Sequence, residues 1–113
     1  MPWLKTGMAV DGIPKGSMRE VHLEGTPVLL VRLSESVRAL APVCTHEGGI
    51  LSDGQLSGGR LTCPEHQAAF DVLTGRVVAD PDGVEPPIGR IDPLATFPTR
   101  VVDGLIEVQL DGA

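Results

Sequence analysis

The stretch "CTHEGGILSDGQLSGGRLTCPEH", residues 44–66, opens on C-x-H and closes on C-x-x-H. It holds both cysteines of the chain and two of its three histidines. Chance would place a histidine at both spacings with odds on the order of one in a thousand, so the two motifs have to be explained together. Each supplies one thiol and one imidazole. Sixteen residues separate His46 from Cys63, enough for two loops to approach one another from opposite sides.

The sequence around these motifs reads as short strands. "VRALAPV" (37–43) is a strand candidate running directly into Cys44, "RLTC" (60–63) runs into Cys63, and "AAFDVLTGRVV" (68–78) forms a hairpin. Between the motifs lies a Gly/Ser-rich connection over 48–59. After them comes "DPDGVEPPIGRIDP" (80–93), whose four prolines exclude a central strand. Its "DPDG" start is a turn signal.

Further out the period stays at two. In "REVHLE" (19–24), Val21 and Leu23 alternate with Glu20, His22 and Glu24, as in a half-buried strand. "PVLLVRL" (27–33) is nearly continuous and β-rich, which predicts a central strand buried on both faces, with "EGT" as the tight turn between the two. In "TRVVDGLIEVQL" (99–110), Asp103-Gly104 fits a type I′ turn, and Ile106, Val108 and Leu110 alternate with Glu107 and Gln109. No amphipathic helix and no internal repeat stand out. The fold class expected is all-β: an antiparallel β-sandwich with a small inserted β subdomain at 44–79 and a Pro-rich loop at 80–93, together one domain over residues 1–113.

Composition narrows the function. A chain of 113 residues with 42% hydrophobic content can bury a core without disulfide staples. Fourteen Gly and ten Pro favour short segments over long helices. Nine Lys and Arg against fifteen Asp and Glu, with Trp3, Phe70 and Phe97 as the only aromatics, supply neither a basic patch nor stacking platforms for nucleic acid. A net charge of -6 suits docking onto a basic protein, where it speeds encounter, and equally suits plain solubility. The N-terminus lacks a basic segment followed by an apolar run, and "PVLLV" (27–31) is too short to span a bilayer. The expectation is a cytoplasmic protein with no membrane attachment, where a Cys/His cluster points to a metal rather than to a disulfide.

Three chemistries can use such a cluster. A closed structural zinc site accepts two thiolates and two imidazoles, although zinc knuckles usually pair Cys with Cys and His with His. A nucleophilic Cys–His pair needs one of each and leaves the second motif unexplained. A mixed-ligand [2Fe–2S] cluster, with two thiolates on one iron and two imidazoles on the other, calls for the duplication.

The two-part motif, the flanking strands and the proline loop resemble the Rieske iron–sulfur family over most of the chain, Trp3 to Leu110. The resemblance implies that Cys44 and Cys63 bind the inner iron and that His46 and His66 bind the outer one, each through one ring nitrogen. It also implies that Gly48 and Gly49 allow positive φ or close backbone approach to the cluster. Pro86 and Pro87 would cover it, their other role being simple loop stiffening.

Departures from the family pattern set the subclass. Members from respiratory and photosynthetic cytochrome complexes carry an extra cysteine in each loop and a membrane anchor. Here Gly49 stands at the first of those positions, and there is no third cysteine. Those relatives place Ser and Tyr, two and four residues after the second His, as hydrogen-bond donors to the sulfurs. This chain has Ala68 and Phe70, which implies a potential near roughly -150 mV. Glu47 and Glu65 beside the histidines would push the same way if ionised, and are otherwise solvated carboxylates. Gln67 replaces a glycine common at that position.

What remains looks like a Rieske-type ferredoxin. Such a protein is not itself an enzyme. It carries single electrons from a flavin-containing ferredoxin reductase to a terminal oxygenase, either an aromatic-ring dioxygenase or a di-iron hydrocarbon monooxygenase, and a monomer is expected. Two alternatives are the small Rieske-like subunit of assimilatory nitrite reductase and, in a different class, a zinc-stabilised interaction module. His22 reads as an exposed histidine and Trp3 as a cap on one sandwich edge.

Overall fold

A computed structural model describes residues 2–45 and 48–110. Eleven strands run in chain order as β1 (Leu4–Ala9), β2 (Met18–Leu23), β3 (Thr26–Arg32), β4 (Val37–Leu40), β5 (Gln55–Ser57), β6 (Arg60–Thr62), β7 (Ala69–Asp71), β8 (Val77–Ala79), β9 (Thr96–Phe97), β10 (Thr99–Val102) and β11 (Leu105–Val108). Three short 3₁₀ turns are the helical elements among the described residues. The strands form three antiparallel sheets, ordered β1-β11-β10, β2-β3-β4-β9 and β5-β6-β7-β8. The all-β expectation holds.

β3 explains how the sheets stack. Val28, Leu29, Leu30 and Val31 are all fully buried, yet successive side chains of a strand point to opposite faces. Val28 and Leu30 join Ile13, Leu23, Val37, Ala39, Ile106 and Val108 in one core, against the three-stranded sheet. Leu29 and Val31 join Leu40, Leu51, Leu61, Phe70 and Val72 in a second core, against the β5–β8 lobe. The continuous apolar run "VLLV" thus builds a middle layer with a core on each side. Cys44 and Cys63 both belong to the core on the lobe side.

Local signals set the register. Leu23 pairs with Thr26 across Glu24 and Gly25, whose φ values are 50° and 81°. Val102 pairs with Leu105 across Asp103 and Gly104, with φ values of 52° and 80°. Both loops are two-residue turns with positive φ at each position, as the Asp-Gly signal predicts.

The structure corrects several expectations. The strand expected over 37–43 ends at Leu40, because Pro42 has no N–H for the ladder; Val43 makes only an isolated bridge to Ile50. The Gly/Ser-rich connection contains β5, which pairs with β6 across Gly58 and Gly59. β1, not expected from the sequence, pairs with β11, and its Leu4, Thr6 and Met8 alternate with Lys5, Gly7 and Ala9 in burial. Glu107, expected on the polar face, is buried: Arg100 bonds its carboxylate at 2.7 and 2.9 Å and lies over the Trp3 ring at 4.4 Å. Arg100 thus bridges the Glu107 carboxylate and the Trp3 ring. His22 is exposed, 3.2 Å from the Glu20 carboxylate.

Candidate metal centre

Two loops carry the motifs, and both close in the same way. The Cys44 N–H donates to the Gly49 carbonyl at 2.8 Å, and the Cys63 N–H donates to the Ala68 carbonyl at 2.7 Å. Each cysteine therefore bonds the residue five positions on, and in the second motif this closes residues 64–67 into a loop. In the first loop Gly48 takes φ of 74°, and its N–H reaches back to the Cys44 carbonyl at 3.3 Å. In the second, His66 and Gln67 take φ of 60° and 62°, left-handed conformations that cost non-glycine residues about 1–2 kcal/mol each.

The loops meet at Gly49. A Cβ on this residue would stand 2.7 Å from Cys63 Sγ, 2.9 Å from Glu65 Cγ and 3.3 Å from Glu65 Cβ. Only a residue without a side chain allows that approach. Gly49 was expected to permit close backbone packing, and what it packs against here is a cysteine sulfur.

The two thiols are brought together. Cys44 and Cys63 are 3% and 2% exposed, belong to one core cluster and interact with each other. Burial pushes the Cys63 thiol up to about 11; the Glu65 N–H, 3.4 Å from its sulfur, opposes the shift, and the neighbouring Cys44 adds to it. A Cys63 thiol held neutral is a poor nucleophile, which argues against Cys63 as a catalytic nucleophile. A metal reverses the preference, because a coordinating thiol is deprotonated outright. Two adjacent buried sulfurs over a glycine cradle fit a metal–sulfur cofactor.

His66 sits at the tip of the second loop with its side chain 46% exposed, and its Nδ1 is 4.0 Å from the Asp82 carboxylate. His46 and Glu47 lie outside the described residues. Among the described residues no three Cys, His, Asp or Glu side chains converge as a single-ion site, so the structure unites the thiols but does not bring His66 onto them.

The proline-rich segment is tied to both loops. The Asp82 N–H donates to the His66 carbonyl at 2.5 Å, and Thr45 Oγ1 donates to the Asp92 carbonyl at 2.6 Å. Arg60 on β6 pairs with Glu85. These ties run through polar groups; Pro86 is exposed and Pro87 half-buried. Asp80, which looked like part of an ordinary turn, is fully buried. Its carboxylate accepts the backbone N–H groups of Ile88 and Arg90. No local pattern announces a carboxylate that serves donors eight and ten residues away.

These features define a small β-protein in which two cysteine loops bring together two buried thiols. The chain belongs to the Rieske [2Fe–2S] domain family, whose model matches residues 3–98. It is 35% identical over 107 residues to ferredoxin CarAc of Metapseudomonas resinovorans, an alignment covering 94% of this chain and 92% of the relative. It is 38% identical over 74 residues to the ferredoxin component of the naphthalene 1,2-dioxygenase system of Pseudomonas aeruginosa, covering 66% and 71%. Among solved structures, it matches a chain in the complex of reduced oxygenase and oxidized ferredoxin in carbazole 1,9a-dioxygenase. The TM-score is 0.79 and the identity 30%, with 94% of this chain and 100% of that one covered. The cofactor is one [2Fe–2S] cluster, and the protein is an electron carrier rather than an enzyme.

Proposed function

We propose that this chain, acting as a single Rieske domain, is the ferredoxin of a multicomponent oxygenase system. It takes one electron at a time from a flavin-containing reductase and hands it to a terminal oxygenase, working as a cytoplasmic monomer. The oxygenase is an aromatic-ring dioxygenase or a di-iron hydrocarbon monooxygenase, the first in line with the naphthalene 1,2-dioxygenase and carbazole 1,9a-dioxygenase systems named for its relatives. Cys44 and Cys63 hold one iron, and His46 and His66 hold the other.

The observation that carries this reading is the contrast between the donors. The thiols are buried in the core, whereas the His66 imidazole, three residues after Cys63, stands half-exposed. A mononuclear zinc site would gather all its ligands around one ion. A two-iron cluster instead accepts sulfur from below and imidazole from the surface side, which suits this division.

When bound, the cluster supplies a one-electron couple whose potential is raised by its neutral imidazole ligands. The chain's own residues do the rest. Leu51, Leu61, Ala68 and Phe70, all fully buried, keep water from the thiolate side. Ala68 and Phe70 offer no hydroxyl to the sulfurs, so the reduced state gains little stabilisation and the potential stays low. The exposed edge of His66 gives the electron a short exit toward a docked partner.

His66→Cys tests the ligand set. Replacing a neutral ligand by an anionic one should retain an iron–sulfur chromophore, lower its potential and change its visible and electron paramagnetic resonance spectra. An unchanged spectrum and potential would remove His66 from the ligand set.

A further inference from the structure

We infer that Asp80 is a positioning residue for His66, acting through the proline-rich loop. This rests on His66 being a cluster ligand, as proposed above. The loop has prolines at 81, 86, 87 and 93, so four of its residues lack the N–H that a strand or helix would use. Something else has to shape it. Asp80 has no exposed surface. Its Oδ2 accepts the Ile88 N–H at 2.5 Å and its Oδ1 accepts the Arg90 N–H at 3.3 Å. On the backbone, the Asp80 N–H donates to the Val84 carbonyl at 2.9 Å, and the Asp80 carbonyl accepts from Gly83 at 3.1 Å. One residue therefore gathers positions 83, 84, 88 and 90.

Burying a carboxylate is costly unless donors replace its water, and here the donors all come from this loop. Within the gathered turn, Asp82 adopts φ of 69° and aims its N–H at the His66 carbonyl, 2.5 Å away. Its carboxylate stands 4.0 Å from His66 Nδ1. The backbone of His66 is itself left-handed, a conformation that persists only when its surroundings impose it. The tether from the Asp80 carboxylate, through the 80–83 turn, to the His66 carbonyl is such a constraint. It fixes the loop tip and with it the direction of the imidazole. A purely local role for Asp80 would shape residues 80–90 and leave His66 indifferent.

The test compares Asp80→Ala and Asp80→Asn in the cluster-loaded protein. Both remove the same charge, so any difference between them reports position, and the asparagine keeps one carbonyl acceptor. The readouts are the imidazole nitrogen couplings in pulsed electron paramagnetic resonance and site-resolved amide exchange. Asp80→Ala should speed exchange at Ile88, Arg90 and Asp82 about tenfold or more. It should alter one of the two imidazole nitrogen signals, with Asp80→Asn falling between it and the unaltered protein. Faster exchange at Ile88 and Arg90 with Asp82 and both nitrogen signals unchanged would overturn the inference. Should Asp80→Ala fail to assemble, Asp80→Asn carries the same comparison. In the unaltered protein the amides of Asp82, Ile88 and Arg90 should open as one unit, and separate opening would count against the tether. Absence of any imidazole nitrogen signal from the unaltered protein would instead sink the ligand set itself.

Discussion

Gly49 and Cys63 sit so close across the two loops that a Cβ on the glycine would lie 2.7 Å from the cysteine sulfur. That single approach links the first loop, closed on Gly49, to the second, which leaves β6 at Cys63. It places the glycine against the Cys63 sulfur of the proposed cluster site although it offers no ligand. Gly49→Ala has to push Cys63, Glu65 or both aside. The expected result is a folded protein destabilised by about 1–3 kcal/mol with reduced iron per chain, read by thermal melting and iron analysis. Full iron loading with an unchanged Tm would show that the loops have room to spare.

Ala68 is fully buried, and its carbonyl closes the second loop on the Cys63 N–H at 2.7 Å. Ala68→Ser adds a hydroxyl beside the electron-rich sulfur. One such donor worth a tenfold shift in a one-electron equilibrium would raise the potential by about 60 mV. Protein-film voltammetry reads this directly. A flat response would mean that the hydroxyl finds another acceptor.

Gly75 turns the β7–β8 hairpin and holds the chain's return from the proline loop, its carbonyl accepting from the Leu94 N–H at 2.8 Å. Its φ is 77°, and a Cβ there would stand 2.2 Å from the Leu94 carbonyl oxygen, a backbone atom that cannot swing away. Gly75→Ala should cost about 2–4 kcal/mol, from left-handed strain and the clash together. That corresponds to a fall in Tm of roughly 10 °C or more, visible by calorimetry and by earlier bleaching of the chromophore.

Much of this was legible because it is local. The Glu24-Gly25 and Asp103-Gly104 turns announce themselves by residue type, and "VLLV" in β3 announces burial on two faces. The spacing of the two motifs predicted that their loops approach one another, whereas the pairing of Cys44 with Cys63 was implied by the family resemblance. What escaped depends on partners distant in sequence. β1 acquires its role by pairing with β11 from the other end of the chain. Glu107 looks solvent-facing until Arg100, lying over Trp3, pairs with it. Asp80 reads as a turn residue because its donors lie eight and ten positions on. Alternation and turn chemistry carry no information about such contacts.

The most direct measurement is a redox titration of the anaerobically purified protein, followed by visible absorption and electron paramagnetic resonance. The buried thiols, the apolar Ala68 and Phe70 and the imidazole ligands proposed at His46 and His66 predict a mixed-ligand [2Fe–2S] spectrum with a midpoint near roughly -150 mV. A midpoint well above zero would contradict the low-potential oxygenase role. A colourless, zinc-loaded, redox-silent protein from iron-replete cells would contradict electron transfer altogether.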